Sequence, residues 1–144
     1  MRYLLDVNIW VALFDDAHSY SHIANEFIAR RGLKIATCPL IENAVVRVMN
    51  APNYGRTGAA GLSVVRDQLQ LACSKLNHEF WADDVSLRDA KRFDFAKLHG
   101  HNQITDAYLL ALAVAHKGAL VTFDQRVVLS SVVGATQKHL MVLK

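Results

Sequence analysis

Tyr3-Leu4-Leu5-Asp6-Val7-Asn8-Ile9-Trp10 begins with three strand-forming apolar residues, then an acid, then a helical run that continues to Phe14. A strand that ends in a carboxylate and passes straight into a helix is the repeating unit of wound α/β sheets. The unit returns near the other end, where Ala119-Leu120-Val121-Thr122-Phe123 runs into Asp124. Working outward, further strands are predicted at Lys34–Thr37, at 79–82 and at 139–143. Longer stretches with helical spacing lie between them. One covers 19–31 and stops at Gly32, a natural C-terminal signal. A second covers 39–50 and is broken by Ala51-Pro52-Asn53, and a third covers 57–76, frayed around Gly58 and Gly61. Ser86-Leu87-Arg88-Asp89 has the Ser-x-x-acid pattern of a capping box and predicts a helix to about Lys97. Thr105 is placed to cap a last helix that runs to Lys117, apolar nearly all round and therefore buried.

Alternation of this kind predicts an α/β fold: one domain over 1–144, with a mostly parallel sheet of about five strands and helices on both faces. Right-handed crossovers bring the carboxyl ends of the strands to one edge, where open α/β sheets bind their ligands. Asp6 and Asp124 follow strands directly, and Glu42 and Asp106 sit near helix N-termini that face the same edge. All four are expected there.

Composition narrows the class. The chain has 144 residues, enough for a sizeable core, and 52% hydrophobic with 20% charged residues excludes a disordered tail. A net charge of +3 gives a mild bias toward polyanions such as RNA. Cys38 and Cys73 lack Cys-x-x-Cys spacing and are read as reduced core residues. Asp6 interrupts what would be the apolar region of a signal peptide, and no run of 18 apolar residues exists, so a cytoplasmic protein with no membrane association is expected.

Each acid alone has an ordinary explanation. Asp6 could cap the Val7–Phe14 helix, Asp124 could cap a helix over 125–132, Asp106 could complement a helix dipole, and Glu42 could be a solvated first-turn residue. Together these explanations weaken, because nearby carboxylates repel unless a cation joins them. A divalent ion with a preference for oxygen ligands, Mg²⁺ or Mn²⁺, answers that need.

Leu4-Leu5-Asp6-Val7-Asn8, the Glu42 helix, Ile104-Thr105-Asp106-Ala107 and Leu120-Val121-Thr122-Phe123-Asp124 resemble, in order and spacing, the four motifs of PIN-domain ribonucleases, in particular VapC-type toxins of toxin–antitoxin pairs. The resemblance covers nearly the whole chain. It implies a metal-dependent endoribonuclease that cuts single-stranded or loop RNA to a 5′-phosphate and a 3′-hydroxyl. The carry-over makes Asp6, Glu42, Asp106 and Asp124 metal-binding carboxylates with Mg²⁺ (Mn²⁺ substituting), Asn8 a polar helper, a cognate antitoxin the partner and a homodimer the assembly. The chain departs from the family after Asp124, where Gln125-Arg126-Val127 stands in place of a further acid and an aromatic.

Two other readings stay open. One is a degenerate PIN-like module that binds RNA or protein without turnover. The other is a haloacid-dehalogenase-like phosphatase, against which Asn8 stands where a second acid is needed. His99 and His101 lie near Asp106 and are read chiefly as exposed loop residues. Arg88, Lys91, Arg92 and Lys97 could meet RNA phosphates, but interleaved Asp89 and Asp94 favour a self-paired solvated face. Trp10 and Phe14, four apart on one helix, are read as core packing or a subunit contact in preference to base stacking.

Overall fold

The computed structural model describes residues 1–54 and 60–144. Its sheet is built from five short strands: β1 (Tyr3–Leu5), β2 (Lys34–Thr37), β3 (Asn77–Phe80), β4 (Ala119–Thr122) and β5 (Leu140–Val142). Their order across the sheet is β3-β2-β1-β4-β5 and every ladder is parallel. β4 is buried along its full length, as a strand covered on both faces must be, and its residues are correspondingly apolar apart from Thr122. β3 is an edge strand and reads Asn-His-Glu-Phe with little burial.

Five α-helices cover the sheet: α1 (Val7–Phe14), α2 (Ser21–Ile28), α3 (Pro39–Met49), α4 (Leu62–Lys75) and α5 (Ile104–Ala115). α1 packs on α2 and α3, and α3 on α4, which makes one continuous layer. α5 packs instead on β4 and β1, and a right-handed crossover from β3 to β4 carries it to the opposite face. Its run from Ala107 to Ala113 is buried, in keeping with an almost uniformly apolar sequence. Trp10 is fully buried and its ring lies 5.7 Å from that of half-buried Phe14, so this pair is core as expected.

Several expectations are corrected. The helix predicted from Ser86 to about Lys97 does not form. Ser86 Oγ accepts from the Arg88 amide and Asp89 Oδ1 from the Lys91 amide, so these side chains close local turns instead of capping a helix. Only a 3₁₀ turn at Phe95–Lys97 follows, and Phe93 makes an isolated bridge to Val132. No helix covers 125–132 either; a 3₁₀ turn at Leu129–Ser131 stands there. α5 begins at Ile104 with Thr105 inside its first turn, so Thr105 is not its cap. β3 lies two residues earlier than predicted, although Trp81 still donates its amide to Thr37 O at 2.8 Å. The last strand is shorter than predicted because His139 belongs to a 3₁₀ turn closed with Thr136. Of the third predicted helix, the part at 57–59 lies outside the described residues and the rest begins at Leu62. Cys38 is buried and free, whereas Cys73 is only half-buried and lines a cavity.

Candidate active site

β1 and β4 are neighbours, with Leu5 paired to Val121, and the amide of Asp6 donates to Val121 O at 2.9 Å. The two strands therefore end together. The chain winds outward from β1 to β3 on one side and resumes at β4 on the other, so the strand order reverses between β1 and β4. That reversal leaves a crevice at the carboxyl ends.

Asp6 lies at its floor, 7% exposed. Its Oδ1 accepts from the Val7 amide at 2.7 Å, which makes it the N-cap of α1 as well as a site residue. Its Oδ2 accepts from Thr122 Oγ1 at 2.6 Å and from Asn8 Nδ2 at 3.1 Å. Thr122, fully buried, uses its hydroxyl completely: it donates to Asp6 and accepts from Asn8 Nδ2 at 2.9 Å and from the Asp124 amide at 3.0 Å. Asn8 Oδ1 in turn accepts from the Phe123 amide at 3.2 Å. Both strand ends are thus stitched through one hydroxyl and one carboxamide. Thr122 was not singled out from the sequence; its position two residues before Asp124, at the end of an otherwise apolar strand, was the available signal.

Burial pushes the Asp6 carboxyl up, against the pull of its three hydrogen bonds, and the charge of Asp124 adds to the rise. Asp106, half-buried in the first turn of α5, is pushed up to about 6 by burial and then by the charges of Asp6 and Asp124. Asp6 and Asp124 are tied to the same Thr122 hydroxyl, and Asp124 shares a cleft with Asp106, so the three lie at one place on the edge. Asp124 is different. A two-toothed bond from the Arg126 guanidinium holds its carboxyl below the usual range. Asp106, Asp124 and Arg126 line a cleft of about 40 Å³ together with Asn102 and Gln103.

Glu42 is set apart from the other three. It lies in the first turn of α3, and its Oε1 accepts from Thr37 Oγ1 at 2.7 Å. Thr37 also meets His78 Nε2 at 2.7 Å. This chain borders a separate cavity of about 270 Å³ lined by Glu42, Arg66, Gln70, Cys73, Ser74 and His78, among others. The charge of Glu42 bears on Cys73 and His78. The expectation of four acids in one pocket meets a structure in which Asp106 and Asp124 share a cleft, Asp6 is tied to the Asp124 amide through Thr122, and Glu42 lines a different cavity. His99 and His101 are exposed, as expected. Arg92 pairs with Asp89 at 3.3 Å, in keeping with a self-paired surface there.

Among the described residues, no three His, Cys, Asp or Glu side chains enclose a metal position in this conformation. The donors are nevertheless of the right kind: hard carboxylate oxygens, two of them raised in pKa by burial and by a neighbouring carboxylate's charge. Asp124 has both oxygens committed to Arg126.

Residues 3–133 match the family model described as the PIN domain. The chain belongs to the PIN-domain family. Within it the chain is similar to Ribonuclease VapC44 of Mycobacterium tuberculosis, 44% identical over 146 residues that cover 99% of this chain and 100% of that protein. It is also 43% identical over 122 residues to Ribonuclease VapC38 of the same organism, covering 84% of each. A solved structure of VapBC2 from Rickettsia felis bound to a DNA fragment from their promoter has the same fold, with a TM-score of 0.60, 17% identity and full coverage of both chains. The five-stranded parallel sheet flanked by helices is therefore the PIN fold. Among the described residues, no helix of this PIN protein is long and apolar enough to cross a membrane.

Proposed function

We propose that this PIN-domain protein is a metal-dependent endoribonuclease. The observation that carries the reading is the placement of Asp6 and Asp124 at the ends of the paired strands β1 and β4, tied through the Thr122 hydroxyl, with Asp106 sharing a cleft with Asp124. Asp6 and Asp106 are proposed as direct ligands of a divalent ion, Mg²⁺ with Mn²⁺ substituting, and Asp124 as a further ligand once it leaves Arg126. Glu42, tied to Thr37, is proposed to contribute through water or at a second position. When bound, such an ion lowers the pKa of a coordinated water and neutralises charge that builds on phosphate oxygens.

The protein's own residues do the positioning. Thr122 and the Val7 amide hold Asp6 in one orientation, so its outward oxygen lobe is set before ligand arrives. Asn8 has its donors committed to Asp6 and Thr122 and its oxygen to Phe123, which makes it a holder of the carboxylate. The proposed reaction is attack by water on a phosphodiester of single-stranded or loop RNA, leaving a 5′-phosphate and a 3′-hydroxyl. Similarity to proteins named ribonuclease VapC supports RNA as substrate, and the likeness to a VapBC2 structure supports a cognate antitoxin as partner; a homodimer is proposed as the assembly.

The test is incubation of the purified protein with total RNA. Cutting that stops with EDTA, returns with Mn²⁺ and is lost in Asp106→Asn is the expected result. RNA binding without turnover in any divalent metal would replace this reading with that of a non-catalytic binding module.

A further inference from the structure

Three carboxylates brought together repel one another unless a positive charge accompanies them. Here that charge comes from the chain itself. Arg126 Nε donates to Asp124 Oδ1 at 3.0 Å and Arg126 Nη2 to Oδ2 at 2.9 Å, while the Arg126 amide donates to Oδ1 at 2.8 Å. The arginine also lines the cleft that contains Asp106. Its side chain is 77% exposed and, among the described residues, Asp124 is its only hydrogen-bond partner. The tip of the guanidinium therefore bonds the carboxylate with two of its five N–H groups and keeps the rest free toward solvent.

The guanidinium side of the pair faces solvent while the Asp124 side chain is 22% exposed; a solvated guanidinium recovers hydration when it leaves, so the arm can leave Asp124 at modest cost. A guanidinium fork fits a carboxylate and a phosphate by the same planar geometry. The charges also balance in only one arrangement. Three carboxylates and one guanidinium leave two negative charges, which repel a phosphate; a divalent ion cancels them. Once the ion has taken an oxygen of Asp124, Arg126 has lost its partner at the very point where the substrate strand arrives.

We infer that Arg126 is a phosphate-binding arm parked on Asp124, released when a divalent ion claims that carboxylate, and then engaged with a phosphate of the RNA strand. The second half rests on the ribonuclease reading; the first does not. In the parked state Arg126 and the metal compete for one carboxylate, and in the released state Arg126 favours substrate. Removing it must therefore move two affinities in opposite directions, a signature that a merely structural surface pair does not produce.

The experiment compares wild type, Arg126→Lys and Arg126→Gln in two assays. Mn²⁺ affinity without RNA, read by electron paramagnetic resonance, is expected to tighten several-fold in Arg126→Gln. Affinity for a labelled mixed-sequence single-stranded RNA with Ca²⁺ present, read by anisotropy, is expected to weaken about ten-fold, which is the scale of a charge-assisted pair of bonds. The slope of log affinity against log salt is expected to fall by about 0.7, the loss of one phosphate contact on a single strand. Arg126→Lys, which keeps the charge without the fork, is expected to lie between. Unchanged or weakened Mn²⁺ binding in Arg126→Gln overturns the parked arm, and an unchanged RNA affinity or salt slope overturns the phosphate contact. If wild type itself binds no RNA, the ribonuclease reading and the phosphate contact fall together, while the Mn²⁺ arm is still read separately.

Discussion

Thr122 donates its hydroxyl proton to Asp6 Oδ2 at 2.6 Å, a contact between residues 116 positions apart in the chain. The Thr122 hydroxyl oxygen also accepts from Asn8 Nδ2 and from the Asp124 amide, so one buried hydroxyl sets the position of two of the three acids. Thr122→Val keeps the shape and deletes all three bonds. It is expected to cost about 1–3 kcal/mol, the range for leaving buried polar groups unpaired, and to weaken Mn²⁺ binding. Thr122→Ser is expected to restore both. Chemical denaturation and metal titration of the pair decide it, and a Val variant that binds Mn²⁺ like wild type removes the positioning role.

Asp106→Asn keeps the volume of the side chain and removes its charge. RNA cleavage is expected to fall by more than about a hundred-fold, the usual scale for losing a group that stabilises charge in the transition state. Thermal unfolding is expected to stay cooperative with an equal or higher midpoint in metal-free buffer, because a repelling carboxylate has gone. A variant that still cuts at the wild-type rate in Mg²⁺ ends the proposed chemistry.

The acidity of Asp106 makes a separate claim about pH. Its folded pKa is raised to about 6 from an ordinary value of 3.8. The folded state therefore holds this proton to higher pH than the unfolded chain does. Its stabilising contribution is fully present below 3.8 and is lost as pH rises through about 6. Without metal, the melting temperature of wild type is expected to fall relative to Asp106→Asn as pH rises from roughly 4 to 7. Mn²⁺ competes with the same proton, so its affinity is expected to drop as pH falls below about 6. Parallel melting curves for the two proteins across that window would show that Asp106 is not perturbed.

Glu42 allows the division of the site to be checked. Its carboxylate is bonded to Thr37 and faces a cavity that contains none of the three aspartates. Glu42→Gln is expected to weaken Mn²⁺ binding less than Asp106→Asn does. Isothermal titration of both variants reads the order, and the reverse order would place Glu42 inside the ion's own ligand set.

Gly118 separates α5 from β4 at a point where the backbone passes close to other atoms. A methyl group built there would lie 2.5 Å from Arg2 O and 2.8 Å from the Trp81 ring, which itself stacks on His116 at 4.3 Å. Gly118→Ala is expected to destabilise by about 1–3 kcal/mol, as overpacking does. A urea midpoint equal to wild type would mean that β1 and the Trp81 ring can move aside freely.

Much of this molecule could be read from local residue patterns. Tyr3–Leu5, Lys34–Thr37 and Ala119–Thr122 were legible because short apolar runs stood between helical periodicities. Asp6, Asp106 and Asp124 were legible as a group because each closes or opens such a run. The failures share a physical cause. Ser86, Asp89 and Asp124 have side chains that bond the backbone two residues on, and from sequence alone such a turn has the same signature as a helix cap. Arg126 was visible only as a departure after Asp124; that it reaches back to that carboxylate depends on how the chain turns there. The bond of Glu42 to Thr37, and the cavity it lines with residues of α4 and β3, join segments that only the folded chain brings together.

The Asp6 amide bonded to Val121, and the Asp6 carboxylate bonded to Thr122, have a consequence for a chain made one residue at a time. A ribosome releases the first acid early and the strand that seats it only after more than 120 residues have been joined. No nascent fragment that stops short of that strand can assemble the crevice.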